Sequence, residues 1–157
     1  MYKDTNCGEP RDTSVGEQIT VAGWVNRRRD HGNLIFIDLR DRSGLLQIVF
    51  NPEYGETAHD LAQSLRSEWV VQVTGKVVAR LPGAENPELP TGAVELSVTD
   101  LVILNRSITP PFEVSDDVEV DANTRLKYRF MDLRRPRMQE ILKLRHKVTN
   151  IMWHHLT

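Results

Sequence analysis

The chain has 157 residues, a formal net charge of −2 and one cysteine. The near-neutral charge excludes indiscriminate binding to polyanions, so a nucleic-acid site has to be a local basic patch. The single cysteine, Cys7, excludes an internal disulfide. No apolar run reaches membrane-spanning length and residues 1–10 lack a signal-peptide core, so we expect a cytoplasmic protein without membrane contact.

Strands dominate the predicted elements from residue 18 onward. Segments rich in Val, Ile and Thr that alternate apolar and polar residues indicate strands at 18–29, 34–41, 45–50, 69–80 and 93–105. The pair Gly32-Asn33 is typical of a tight hairpin, which needs a positive φ. Between the third and fourth strands, one helical face is predicted from Ala58, Leu61, Ala62 and Leu65, with Thr57 as its N-cap.

This order of elements is that of an OB-fold, a five-stranded Greek-key barrel with a helix between strands 3 and 4. The predicted fold class is therefore mainly β, followed by a linker and a C-terminal α-helix. The predicted domains are an OB-fold domain at 1–107, a hinge or linker at 108–135 that is acidic and contains a Pro-Pro pair, and a helix at 136–157.

The C-terminal helix is predicted from Pro136, a residue that suits the first helical position. One face of it is apolar: Ile141, Leu144, Val148, Ile151 and Met152. No capping signal precedes Thr157, so we expect the chain to stop within the first helix of a further domain.

Motifs of catalysis are missing from the sequence. It contains no glycine-rich phosphate loop, no HExxH motif and no cysteine cluster. Candidate metal ligands occur only as close pairs: His154/His155, Asp38/Asp41 and Asp116/Asp117. Adjacent helical residues point about 100° apart, so the histidines do not converge on one ion, and the acidic pairs are better explained as solvated charge. The sequence therefore predicts no catalytic residue, metal or cofactor in this chain.

The segment RRRDHGNLIFIDLRDR, residues 27–42, indicates a nucleic-acid site. In a strand over 34–40, Phe36 lies on the polar face with Asp38. OB-folds bind single strands near strands two and three, using basic residues for phosphates and aromatic rings for stacking. Arg27 and Arg29 share one face of the first strand, and Gln47 in the third can hydrogen-bond a base edge. Two alternatives to a nucleic-acid site stay open. In the first, Phe36 packs over the barrel end or under a loop. In the second, the arginines only pair with the acidic residues Asp30, Asp38 and Asp41.

Two longer motifs carry a family resemblance. VAGWVNRRRDHGNLIFIDLRDRSGLLQIVF resembles the anticodon-binding domain of bacterial aspartyl-tRNA synthetases, and TRLKYRFMDLRRPRMQEILKLRHKV resembles the segment leading into their class II catalytic domain. The resemblance covers nearly the whole chain. Asparaginyl- and lysyl-tRNA synthetases share the fold, but RRRD followed by LIFIDLRDR, and YRFMDLRRP, are similar to the aspartyl branch.

The resemblance implies an anticodon-binding set made up of Arg27, Arg29, Phe36, Gln47, Arg80, Asn86 and Glu95. In that family Phe36 would stack on the central anticodon base, Gln47 would bond a base edge, and Glu95 would help to read the first base. The arginines of the first strand would contact the anticodon nucleotides and their backbone.

His31 and Gly83 match positions that influence whether such enzymes accept tRNA-Asn besides tRNA-Asp. The two anticodons differ only in the third base, and the combination of His and Gly is similar to the non-discriminating enzymes. A small Gly and an adaptable His neither exclude nor select the third base. The alternative is that both are turn residues, with Gly83 supplying a positive φ and His31 forming an exposed tip.

For a full-length enzyme the resemblance implies an aspartate–tRNA ligase that uses ATP and Mg²⁺ and forms a homodimer. The chain itself lacks the ATP- and aspartate-binding motifs, so we expect it to bind tRNA-Asp, and also tRNA-Asn, without charging them. Two other classes remain: a stand-alone single-strand-binding or regulatory OB module, and a protein-interaction OB domain.

Overall fold

The computed structural model describes residues 2–156, which form two compact units divided between Thr109 and Pro110. The first unit holds a short 3₁₀ helix, five strands and one helix: Asp12–Ser14, β1 Gln18–His31, β2 Leu34–Arg40, β3 Leu45–Phe50, α1 Pro52–Ala62, β4 Val70–Ala79 and β5 Val94–Asn105. The second holds three helices: α2 Ala122–Lys127, α3 Arg129–Asp132 and α4 Pro136–Leu156.

The strands close into a barrel in the order β1-β2-β3-β5-β4. Neighbouring strands are antiparallel except β3 and β5, which run parallel and pair at Ile48↔Leu96 and Val49↔Ser97. The helix α1 lies between β3 and β4 in sequence, as predicted. The predicted fold class, a mainly β OB-fold with a C-terminal helix, is confirmed.

The barrel core follows from alternation along each strand. In β2 the inward residues Ile35, Ile37 and Leu39 are buried, whereas the residues between them are half-exposed. Full burial of each such side chain stabilises the fold by about 1.5–3 kcal/mol. Alternation therefore leaves every second residue of β2 on the outer face, where a ligand can reach it.

The helix α1 differs from its prediction at its start. Its N-cap is Asn51, whose side chain accepts from the Glu53 amide over 3.0 Å, so the prediction of Thr57 was wrong. Gly55 interrupts the helix with non-helical torsion angles, which is why the regular apolar spacing begins only after it. Of the predicted stripe, Leu61 is 41% exposed, while the other members join the barrel core.

The hairpin between β1 and β2 is tighter than predicted. β1 continues to His31, which pairs with Leu34, and leaves only Gly32 and Asn33 for the turn. Gly32 has a φ of +58°, and Asn33 is not among the residues with positive φ. A turn with glycine at the first central position matches the right-handed twist of the strands.

The segment predicted as a linker is folded in the second unit. It contains α2 and α3 and a small core of Phe112, Val114 and Met131. The unit begins at Pro110, two residues after the start expected for the linker. No residue of α4 is buried. Across residues 2–156, no helix is long and apolar enough to span a membrane.

Candidate nucleic-acid interface

A β-bulge at Asn26 decides which face of β1 the arginines occupy. Val25 pairs with Leu39, and the next paired residue, Arg27, faces Asp38. Asn26 therefore has no pairing residue in the β1–β2 register. Regular alternation from the buried Val25 would turn Arg27 and Arg29 inward. The bulge shifts the phase by one residue and places both on the outer face.

Four polar side chains form a row of hydrogen bonds across the outer face. Arg29 Nη2 donates to Asp38 Oδ1 over 2.7 Å and to Gln47 Oε1 over 3.2 Å. Gln47 Nε2 then donates to Glu95 Oε2 over 2.6 Å. The row, called the polar row below, links β1, β2, β3 and β5. It holds Arg29, Gln47 and Glu95 in one arrangement before any ligand binds.

At the polar row, burial and nearby charges shift the pKa values of Asp38 and Arg80 in opposite directions. Burial raises the pKa of the Asp38 carboxyl, although the nearby Arg29, Arg80 and Arg27 favour its ionised form. Burial likewise lowers the pKa of the Arg80 guanidinium, against the attraction of Glu95 and Asp38. The outer face thus combines desolvated charges of both signs, whose interactions are stronger than those of fully solvated groups.

Arg80 has an unused donor. The residue is 8% exposed, and its Nε donates to the Val94 carbonyl over 3.1 Å. Its Nη2 is buried and has no hydrogen-bond partner among the residues described. A buried donor without an acceptor costs about 1–3 kcal/mol. An acceptor supplied by a ligand would recover part of that cost.

Phe36 lies on the outer face of β2 next to the polar row, opposite Arg29 in the β1–β2 register. Its ring is half-exposed and meets His31 edge to face, with the ring centroids 6.4 Å apart and the planes at 87°. This is a favourable aromatic geometry. His31 is exposed, so a flat ring with a polar neighbour is presented to solvent beside the arginines.

Asn86 and Gly83 lie in the loop between β4 and β5 and make local contacts. Asn86 Oδ1 accepts from the Glu88 amide over 3.0 Å, and the Gly83 amide donates to Glu85 over 2.7 Å. Gly83 has a φ of +84°, which agrees with its interpretation as a turn residue. Among the described residues, no hydrogen bond joins Asn86 or Gly83 to the polar row.

The alternative of acid–arginine pairing is realised in part. Arg29 pairs with Asp38, and Arg28 pairs with Asp30 over 2.9 Å. Asp41 pairs instead with Lys3 over 2.7 Å. Arg28 also donates to the Gln63 carbonyl at the end of α1 over 2.6 Å, so it does not join the outer face.

Asp38 and Asn26 are the residues that the sequence analysis did not place in the site. Alternation already sets Asp38 beside Phe36, so its position was available from the sequence. The bulge had no such signal, since Asn26 fits the polar face of a regular strand. Within residues 2–156 no group of three or more His, Cys, Asp or Glu side chains has the arrangement of a metal site.

Residues 19–104 match the family of OB-fold nucleic acid binding domains of the tRNA anticodon type, which accounts for more than half of the chain. The chain belongs to this family. Residues 121–157 match a second family, the class II tRNA synthetases (D, K and N). The resemblance to an anticodon-binding domain joined to a class II synthetase segment is therefore confirmed.

Relatives of this OB-fold chain include aspartate–tRNA ligases. The aspartate–tRNA(Asp/Asn) ligase of Desulfatibacillum aliphaticivorans is 53% identical over 148 residues, which cover 94% of this chain. The aspartate–tRNA ligase of Streptococcus pneumoniae is 52% identical over 157 residues, which cover 99% of the chain. The chain spans about a quarter of the length of these relatives.

Solved structures of synthetases share the fold. Asparaginyl-tRNA synthetase from Pyrococcus horikoshii, in complex with asparaginyl-adenylate, superimposes with a TM-score of 0.84 at 25% identity and covers 99% of this chain and 34% of its own. The aspartyl-tRNA synthetase of Entamoeba histolytica has a TM-score of 0.81 at 20% identity, over 92% of this chain and 35% of its own. The second likeness shows the fold alone.

Proposed function

We propose that this chain is the anticodon-binding part of an aspartate–tRNA ligase and that its outer face binds the anticodon loop of tRNA-Asp. The observation that carries the proposal is the polar row beside Phe36. It places hydrogen-bonding side chains from four strands next to an accessible aromatic ring. Single-stranded nucleic acid is bound by this combination of stacking, base-edge contacts and positive charge.

The family resemblance implies the residue roles, and the chemistry of the side chains supports them. Phe36 stacks on the central anticodon base, while Arg27 and Arg29 meet phosphates and nucleotides. Gln47 both donates and accepts, so it can bond the edge of a base. Glu95 accepts from Gln47 before binding and can accept from the amino group of a guanine. The outer-face positions of these residues support the roles.

Arg80 and Asn86 complete the proposed set. The buried Nη2 of Arg80 is a donor that a base oxygen or nitrogen would satisfy, and this supports a role in base recognition. Asn86 enters the set through the family resemblance, since its side chain caps its own loop. It would have to leave the Glu88 amide, or use its free NH₂ group, to contact a nucleotide.

We also propose that tRNA-Asn is accepted. The His31 ring stands nearly perpendicular to that of Phe36 and is exposed, so it can adapt to either third base. A side chain built on Gly83 would meet open space. Among relatives at similar identity, some are named aspartate–tRNA(Asp/Asn) ligase and others aspartate–tRNA ligase. Their names do not distinguish the two specificities.

For the complete enzyme we propose ATP-dependent attachment of aspartate to tRNA with Mg²⁺, in a cytoplasmic homodimer. The described residues offer no cluster of metal ligands. The part proposed for this chain is to bind and orient tRNA, because its outer face carries the polar row beside Phe36.

The proposal is tested by titrating the chain with anticodon stem-loops that carry GUC, GUU or an unrelated triplet, at two salt concentrations. We expect GUC and GUU to bind within about threefold of each other and the unrelated triplet at least tenfold more weakly. Equal binding of all three, or of poly-dT, would overturn anticodon recognition in favour of a general single-strand binder. A large preference for GUC over GUU would overturn acceptance of tRNA-Asn alone.

Gln47→Ala is expected to reduce discrimination between anticodons more than total affinity. The side chain carries an NH₂ group that donates and a carbonyl oxygen that accepts, and losing one hydrogen bond costs about 0.5–1.5 kcal/mol. The ratio of the affinities for GUC and for a triplet changed at the central base should therefore fall about threefold to tenfold. The measurement is the same titration with a central-base variant. Gln72→Ala is the matched control, because Gln72 lies on β4 and donates to the Tyr2 carbonyl. Equal loss in both variants would contradict the role of Gln47.

A further inference from the structure

A buried polar cluster holds β1 at its bulge. From Nη1, Arg40 donates to Asn26 Oδ1 over 2.6 Å, and from Nη2 it donates to both carboxylate oxygens of Glu68 over 2.8 and 2.9 Å. The side chains of Arg40 and Glu68 are 15% and 7% exposed. The cluster, called the bulge clamp below, ties the unpaired residue of the bulge to β2 and to the loop before β4.

Glu68 also holds the backbone next to the bulge. Its amide donates to the Val25 carbonyl over 2.7 Å, and the Val25 amide donates to the Trp69 carbonyl over 2.9 Å. Glu68 itself has a φ of +64°, a conformation that is unfavourable for a residue with a side chain. A buried ion pair adds little net stability compared with apolar side chains. Stability alone therefore does not account for a strained, buried Glu at this position.

We infer that Asn26, Arg40 and Glu68 are positioning residues, which fix the bulge and thereby present Arg27 and Arg29 to nucleic acid. The inference rests on the proposed function. A one-residue change of register turns every side chain of a strand to the opposite face. Without the bulge, the two arginines would point to the side where Arg28 now meets the end of α1.

Glu68→Gln tests the bulge clamp because it keeps the shape of the side chain and removes its charge. We expect binding of the GUC stem-loop to weaken about fivefold to tenfold. The salt dependence should also fall, by about 0.7 for each arginine that leaves a single-stranded phosphate, although no residue that touches nucleic acid has been changed. Glu56→Gln, an exposed carboxylate on α1, is the control and should leave both quantities unchanged.

Deletion of Asn26 in the Glu68→Gln background supplies the decisive comparison. Without the extra residue, Arg27 follows Val25 directly and faces outward by ordinary alternation. We expect affinity within about twofold of the original chain and the original salt slope. A folded Glu68→Gln chain with unchanged affinity, or weaker binding with an unchanged slope, overturns the inference. So does failure of the deletion to restore binding. If Glu68→Gln does not fold, Asn26→Ala, which keeps the ion pair, should show the same loss in slope.

The rate at which a cysteine at position 27 is alkylated, measured without nucleic acid, tests this inference independently of the proposed function. Burial raises the pKa of Cys7 to about 12, so that thiol is unreactive and a new one can be followed alone. Arg27→Cys should be alkylated by iodoacetamide at least fivefold more slowly when combined with Glu68→Gln. Equal rates would overturn the inference whatever the chain binds. Slower alkylation of the double variant, together with failure of the original chain to bind any stem-loop, would support the clamp and overturn the proposed function.

Discussion

Replacing Phe36 with alanine is expected to weaken binding of the GUC anticodon stem-loop by about tenfold to a hundredfold. The ring lies half-exposed beside the polar row, and base–aromatic stacking contributes about 1–3 kcal/mol per base. The loss should be similar at low and high salt, because the ring carries no charge and its removal releases no counterions. Titration at two salt concentrations measures both the affinity and its slope.

Tyr54→Ala is the matched control for this variant. Tyr54 is 64% exposed on α1 and lies outside the polar row. We expect its removal to change binding by less than twofold. Thermal unfolding of Phe36→Ala should show a folded chain, since its ring is not part of the barrel core. Undiminished binding of the stem-loop by Phe36→Ala would contradict base stacking on this ring. Undiminished function after both Phe36→Ala and Arg29→Ala would favour a protein-interaction domain.

Asp132→Asn is expected to loosen the second unit strongly and leave the barrel unchanged. The Asp132 side chain is fully buried and bonds Arg125 over 2.8 Å, with Arg129 and Arg135 also paired to it. Breaking a buried pair costs about 3–5 kcal/mol. The side chains of Arg125 and Arg129 are 38% and 46% exposed, so solvent weakens these ion pairs and we expect a loss of about 2 kcal/mol. Amides of residues 110–135 should then exchange hydrogen about thirtyfold faster.

The same residue makes the second unit sensitive to acid. Hydrogen bonds from Arg125 lower the pKa of the Asp132 carboxyl below its ordinary value of about 3.9. A lowered pKa in the folded state adds stability that is complete above that ordinary value and is lost as the pH falls through the lower one. The difference between the original chain and Asp132→Asn should therefore shrink only below about pH 4.

Hydrogen exchange followed by mass spectrometry measures both effects. Glu119→Gln, a change at an exposed carboxylate of the same unit, serves as the control and should alter exchange by less than twofold. Equal acceleration in the two variants would show that Asp132 does not hold the unit together. Acceleration spread equally over the barrel strands would contradict a local effect.

Much of the barrel was predictable because burial imposes a period of two on a strand. Ile35, Ile37 and Leu39 alternate in the sequence as they do in the core. The start of α1 was missed because Gly55 interrupts the helix, so that periodicity begins late. The folded segment after residue 109 was missed for a different reason. Its core is built from Phe112, Val114 and Met131, which are too scattered in sequence to show a period.

The outer-face position of a candidate residue was predictable where the side chain follows the alternation of its strand, as for Phe36 and Gln47. The outward position of Arg27 and Arg29 depends instead on the bulge. The bulge depends in turn on a residue of the α1–β4 loop, Glu68, that lies far away in sequence. The sequence pattern within β1 carries no information about the contact between Glu68 and the bulge. The same holds for the unsatisfied donor of Arg80, which exists only because its surroundings are buried.

The pairing of β3 with β5 has a consequence for folding. The hairpins from β1 to β3 join neighbouring segments, whereas Ile48 meets Leu96 only after the chain has made α1 and β4. Contacts between distant segments form late, because loop-closure entropy is lost before they are gained. Gln47 and Glu95 lie on opposite sides of this seam. A partly folded chain can therefore display the aromatic ring and the arginines, yet it gains a complete binding face only in the last step of barrel closure.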